Sequence, residues 1–253
     1  MKMHLLSGGR LRVRRAIYQP DARRDETIEA PVSSILLRHR QGNVLFDTGC
    51  HPDAAEHGEA RWGSIAKVVT PIMRPGDNVI NALAEVGLAC DDVDVVLCSH
   101  LHFDHCGCNT FFKRATVIMH AKELAAARAP DAVAAGYIAA EWERPEPPET
   151  IQSERDLFDD GRIVLIHLPG HTPGSIGALV ALEKSGTFLL ASDTVSLRST
   201  LDTGVISRNT WNADELVKSL AEVRRIEAQG ATVVCGHDDA QWTSLRKGAD
   251  AYD

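Results

Sequence analysis

Residues 100–105 read His100-Leu101-His102-Phe103-Asp104-His105, three imidazoles and one carboxylate within six positions. Neutral imidazole nitrogens and carboxylate oxygens are the donors that borderline divalent cations accept, so this short segment supplies the start of two metal shells. A solvated polar loop is the bland reading, but four ligand-type residues at such spacing, directly after a buried strand, argue against it. Three more places put a ligand-type residue at the end of an apolar run: His171 within Pro169-Gly170-His171-Thr172-Pro173-Gly174, Asp193 after Ala191-Ser192, and His237 after Cys235-Gly236. Seven donors result. Imidazole and carboxylate donors in this number are the chemistry of a transition-metal centre.

The elements that must position these donors follow from periodicity. Residues 32–39 and 43–49 are apolar and β-branched around the turn Arg40-Gln41-Gly42, which predicts a hairpin. Over 77–88, Val79, Ile80, Leu83, Val86 and Leu88 recur mostly three or four apart, predicting a helix with Asp77 as its N-cap. A buried strand at 93–98 then delivers the histidine cluster. A helical stretch at 121–128 precedes strands at 163–168, 176–182 and 187–191, an amphipathic helix at 214–228 and a last strand at 232–235. The segment Arg144-Pro145-Glu146-Pro147-Pro148-Glu149 excludes regular helix or central strand and reads as a loop between two halves.

Composition limits the partners. The chain has 253 residues, 44% of them hydrophobic, enough for a substantial core and too many for an intrinsically disordered chain. With 27 Lys plus Arg against 35 Asp plus Glu, the net charge is −8, so nothing attracts the chain to nucleic acid. No run of about 18 apolar residues offers a membrane span, and glycines interrupt the first residues before a signal-peptide core forms. The expectation is a soluble, cytoplasmic protein that leaves room for a homodimer. Six cysteines spread over this length read as reduced, buried thiols; Cys106-x-Cys108 lacks the second pair that a structural zinc site would need.

The ordered set His100-x-His102-x-Asp104-His105, His171, Asp193 and His237 resembles the metallo-β-lactamase superfamily. The resemblance implies an α/β fold, a four-layer αββα sandwich occupying 1–253 as one domain, with two divalent metal ions between the sheets. It implies one metal on His100, His102 and His171, a second on Asp104, His105 and His237, and Asp193 bridging them. Zinc suits the histidine-rich set, and manganese, iron or cobalt accept the same donors. Asp47, in Leu45-Phe46-Asp47-Thr48-Gly49, resembles the family's aspartate that orients a ligand histidine, a capping Asp after a strand being the alternative. His4, His39, His51, His57, His120 and His167 sit in no motif and read as surface or packing residues.

Within the superfamily, Asp193 at the bridging position is unlike the β-lactamases that use a cysteine there. The stretches Phe46-Asp47-Thr48-Gly49-Cys50-His51-Pro52-Asp53 and Cys235-Gly236-His237-Asp238-Asp239-Ala240-Gln241-Trp242, with the histidine cluster, resemble the N-acyl-homoserine lactonases, the quorum-quenching branch. That resemblance implies a small lactone or ester substrate, with Asp104 as the catalytic residue that orients the nucleophile and passes its proton to the leaving oxygen. Another ester or thioester hydrolase similar to glyoxalase II is the nearest alternative, and an iron-binding redox or a binding protein the more distant one. One departure stands out: the family places a tyrosine three residues after the bridging aspartate, where this chain has Ser196, so either another donor such as Tyr137 replaces it or the substrate differs from an acyl-homoserine lactone. Trp62, Ile72, Met73, Tyr137 and Trp142 are candidates for an acyl pocket.

Overall fold

The computed structural model describes residues 1–253. Its first sheet contains β1 (Lys2–Arg14), β2 (Thr27–His39), β3 (Gly42–Phe46), β4 (Val69–Pro71), β5 (Val95–Leu97), β6 (Thr116–His120) and β7 (Glu149–Ile151), in the order β4-β1-β2-β3-β5-β6-β7. The second contains β8 (Arg155–Asp156), β9 (Ile163–His167), β10 (Ile176–Leu182), β11 (Gly186–Ser192) and β12 (Thr232–Cys235), in the order β12-β11-β10-β9-β8. The expected hairpin is β2 and β3, antiparallel from Ile35 opposite Phe46 to His39 opposite Gly42. From β3 onward, β5, β6 and β7 run parallel to one another, as do β11 and β12.

Side chains alternate across these strands, and the alternation makes the layers. Ile35 and Leu37 of β2 meet Leu165 of β9 and Leu190 of β11 in a core between the sheets. Leu36 points the other way, into a second cluster with Val79 and Leu83. Leu189 of β11 likewise turns outward, onto Leu216, Leu220 and Val223. Helices therefore cover both outer faces: α1 (Ala54–Trp62), α2 (Val79–Glu85), α3 (Phe103–Cys106), α4 (Ala121–Ala127) and α5 (Ala139–Trp142) come from the first half, and α6 (Arg198–Thr203) and α7 (Ala213–Ala228) from the second, while α8 (Asp239–Ser244) sets Trp242 against the core between the sheets. The result is the αββα sandwich expected. α7 begins at Asn212, whose side chain accepts from Glu215 N, and each apolar side chain it buries contributes about 1.5–3 kcal/mol. No helix is long and apolar enough to cross a membrane.

One element has no counterpart in the sequence reading, and one expectation changes. The glycine-broken start of the chain is a thirteen-residue strand, β1, paired along β2 with its register shifting between Ser7 and Gly9. Gly8 and Gly49 explain it: a Cβ on Gly49 would stand 2.5 Å from Gly8 Cα, so the glycines let the loop after β3 cross β1 at van der Waals distance. The helix at 77–88 shortens to α2, capped by Asn78, whose Oδ1 accepts from Ile80 and Asn81; Asp77 instead accepts the Ser7 hydroxyl at 2.6 Å.

Candidate metal centre

Strand ends from both sheets meet at one edge of the sandwich. After β5, Cys98 N bonds to Ile118 O and Ser99 N donates to Asp47 Oδ1 at 2.7 Å, which fixes the backbone entering the histidine cluster. His100 follows, His102 precedes α3, and Asp104 and His105 lie in its single turn. His171 comes from the loop between β9 and β10, Asp193 directly follows β11, and His237 lies two residues past β12. Ser192 has φ 45° and ψ −140°, a positive-φ conformation rare for a side chain with a Cβ, and it turns the chain out of β11 at Asp193. Gly236 admits that carboxylate, because a Cβ there would lie 2.4 Å from Asp193 Oδ1.

All seven residues named from the sequence come together. The ligand atoms of His100, His102 and His171 lie within 4.8 Å of one another, as do those of His100, His105 and Asp193, and those of Asp104, His105 and His237. Asp193 Oδ2 is 3.5 Å from His171 Nε2 while its Oδ1 is 3.5 Å from His105 Nε2 and 3.0 Å from His237 Nε2, so one carboxylate spans both groups. On four of the five rings the other nitrogen is occupied. His102 Nε2 donates to Ala135 O and His237 Nδ1 to Pro31 O, each at 2.9 Å; a carbonyl only accepts, so these rings turn a lone pair toward the cluster. His105 Nδ1 meets Asp47 Oδ2 at 2.9 Å, and His100 Nδ1 meets Ser99 Oγ at 2.9 Å.

The donors fit divalent cations. His100 Nε2 and His105 Nε2 are buried without a hydrogen-bond partner, and Asp193 Oδ1, although near His237, makes no properly angled hydrogen bond. Three buried, unsatisfied ligand atoms in one cluster are what a cation would satisfy. Charge agrees with this. Burial holds the His100 imidazole well below its ordinary range and pushes His171 down to about 3, both neutral and ready to coordinate. Burial also acts against a charged His105, but the carboxylates of Asp104, Asp47 and Asp193 outweigh it and push that imidazole up to about 10. Protons compensate the carboxylates where a cation would, so loading the site displaces them.

Around the centre, several residues behave otherwise than the sequence suggests. Asp47 orients His105, as expected. Of the acyl-pocket candidates, only Tyr137 borders the cavity beside the cluster; Trp62, Met73 and Trp142 are packed in the core and Ile72 lines a separate surface depression. That cavity, about 640 Å³, is walled by Leu11, Val13, Ile17, Ile65 and Val68, with His102, Asp104 and Asp193 at its floor. Ser196 is buried and its hydroxyl turns back to Asp193 O at 3.4 Å. Cys106 and Cys108 are buried thiols whose Sγ atoms face the carbonyls of His102 and Cys50, outside the ligand groups.

Two contributors have no sequence signal. Glu123, buried in the first turn of α4, accepts from Leu101 N at 2.9 Å and Gly174 N at 3.0 Å, tying together the loops that carry His100 and His171. Tyr18, in the segment joining β1 to β2, reaches the cavity beside His237.

Residues 27–237 match the profile of the family described as Metallo-beta-lactamase superfamily. The chain is 30% identical to the N-acyl homoserine lactonase AttM of Azorhizobium caulinodans, covering 100% of this chain and 99% of that one. It is 32% identical to the N-acyl homoserine lactonase AiiB of Agrobacterium fabrum over 89% of this chain and 86% of that protein. Among solved structures, an N-acyl homoserine lactone hydrolase with N-hexanoyl-L-homoserine bound at its catalytic metal center superposes with a TM-score of 0.90 at 23% identity, covering 99% and 98% of the two chains. AidC, a dizinc quorum-quenching lactonase, superposes at 0.66 and 14% identity, covering 94% and 87%.

Proposed function

Because the chain belongs to the metallo-beta-lactamase superfamily, we propose that it is a metal-dependent hydrolase that opens lactone rings, with N-acyl homoserine lactones as its substrate class. The observation that carries this reading is the convergence of seven nitrogen and oxygen donors on the floor of an apolar cavity. His100, His102 and His171 would hold one ion and Asp104, His105 and His237 the other, with the Asp193 carboxylate within reach of both groups. Zinc is the metal we assign, on the histidine-rich donor set. When bound, two such ions polarise an ester carbonyl and bring the pKa of water toward neutrality.

The chain's own residues do the rest. The apolar wall of Leu11, Val13 and Val68 takes an acyl tail and excludes water around the ester. Asp104 Oδ2, 3.6 Å from His237 Nε2, faces the cavity floor, where it orients the attacking water, holds its proton and returns it to the ring oxygen as the acyl C–O bond breaks. The product is one hydroxy acid. Residues 1–253 act as one domain, and the enzyme works in the cytoplasm on a small diffusible substrate.

Proton release in a pH-stat tests the reaction class across acyl-homoserine lactones, simple γ- and δ-lactones, S-lactoylglutathione and a cephalosporin. Lactones lead the panel, and chromatography shows the ring-opened acid with its acyl chain attached. Preference for S-lactoylglutathione would assign the chain to thioester hydrolysis instead.

A further inference from the structure

The cavity holds a hydrogen-bond donor that the metal centre does not use. Tyr18 is 5% exposed, yet its hydroxyl has no partner in the protein and is absent from the buried polar atoms that lack one. It therefore opens onto the cavity that its residue lines together with Asp104, Asp193 and His237. Its ring leans on the His237 imidazole, with centroids 5.9 Å apart and planes 35° apart. A phenol in an apolar wall normally finds a partner, and one left free beside a reaction centre is available to substrate.

The segment around Tyr18 is fixed. Arg208 N donates to Ile17 O at 2.7 Å and Arg208 Nη2 to Pro20 O at 2.8 Å, so one residue clasps the backbone on both sides of the tyrosine. Tyr18 N bonds to Arg15 O within the short helical turn at Arg15–Ile17, and Gln19 Nε2 reaches Ser199 Oγ. A donor held this way is pre-organised, which is what makes a single hydrogen bond to developing charge effective. The alternatives face elsewhere. Tyr137 buries its hydroxyl toward Glu123 and Thr172, Ser196 turns to its own segment, and Tyr252, the third tyrosine, binds Arg246 N.

We propose that Tyr18 is a catalytic residue: its hydroxyl donates a hydrogen bond to the substrate oxygen that gains negative charge as the ring opens. The proposal rests on the hydrolase reading above. No bond to Tyr18 breaks in the step. Water oxygen joins the acyl carbon, the ring C–O bond breaks, the proton from water ends on the ring oxygen, and the phenol keeps its own.

Tyr18→Phe in the metal-loaded full chain isolates the hydroxyl. With N-hexanoyl homoserine lactone as substrate, kcat falls about ten- to a hundredfold while KM changes less than about threefold. Metal content, melting temperature and calorimetric affinity for N-hexanoyl-L-homoserine stay near those of the parent chain. Ser196→Ala, which removes a hydroxyl turned away from the cavity, changes kcat by less than about tenfold. A Tyr18→Phe enzyme within about twofold of the parent kcat overturns the proposal. So does a loss of rate matched by loss of metal or product affinity, which would make Tyr18 only a packing partner of His237. If the parent chain opens no lactone, the lactone-opening reading fails separately, and the same comparison is made on whichever ester or thioester in the panel it cleaves. If it cleaves none, both readings fall.

Discussion

The carboxylate of Asp47 meets His105 Nδ1 at 2.9 Å across 58 residues of chain, joining the end of β3 to the turn after β5. The same carboxylate receives the Ser99 backbone amide and, at 2.7 Å, the Ser99 hydroxyl, whose oxygen also lies 2.8 Å from Ser192 Oγ. Asp47 has φ 59°. Asp and Asn adopt this left-handed conformation more readily than other side chains that carry a Cβ, so conformation and charge are separable here by substitution.

Asp47→Asn keeps a residue suited to that backbone but weakens the acceptor for His105, and lowers metal affinity about 10–100-fold. Asp47→Ala adds backbone strain and is the worse of the two. Metal retained after dialysis against a graded chelator series reads the effect; two variants that hold metal as the parent does would remove Asp47 from the centre.

Purified protein carries about two transition-metal ions per chain, because the donors form two groups joined by Asp193. Asp193→Ala loses both ions together, which elemental analysis detects. Retention of one ion at full occupancy by that variant would show that Asp193 belongs to a single shell. Adding metal to stripped protein raises its melting temperature, since the assembled site binds the ions more tightly than the unfolded chain does.

Glu123 supports the centre without touching it. Glu123→Ala leaves the Leu101 and Gly174 amides unpaired in the interior, each costing about 1–3 kcal/mol. Glu123→Gln retains one acceptor and loses less. Urea midpoints should order parent, Gln and Ala variants from most to least stable, with kcat following the same order as the two ligand loops loosen.

Acid destabilises the chain in part through His120. Its ring stacks on His167 with centroids 4.0 Å apart, and burial together with that neighbour pushes it down to about 4. An unfolded histidine titrates near 6.5, so between these values the unfolded chain binds a proton that the folded chain refuses. Stability from this group is complete above about pH 6.5 and is lost as pH falls toward 4. His120→Asn keeps an acceptor for the Lys122 amide that caps α4 and flattens the slope of urea midpoint against pH over that window. An unchanged slope would mean the ring is protonated in the folded state.

How much of this was legible in the sequence depends on how local each signal is. The seven donors were legible because each sits at the end of an apolar run and four fall within six positions. Asp47 was legible for the same reason. β1 was not: Gly8 and Gly9 carry the signature of a break, and only the crossing loop at Gly49, forty residues away, makes them part of a strand. Trp62 and Trp142 show why large apolar residues are poor pocket markers, since Trp62 packs on Phe103 at 4.5 Å between ring centroids and Trp142, at the end of α5, is buried in the cluster beneath the first sheet's helices. Tyr18 and Glu123 reach the site through tertiary closure, and no spacing along the chain announces that.

The division of the donors between the sheets has a mechanical consequence. His100, His102, Asp104 and His105 belong to the first sheet's edge, and His171, Asp193 and His237 to the second's. Neither half offers a complete shell for the first ion or the second, so a loaded centre rivets the two halves. Any fluctuation that parts the sandwich at this edge dismantles both sites in one event. Parting of the sandwich would therefore release both ions together, and an isotope chase of the resident ions would follow that shared loss without any label on the protein.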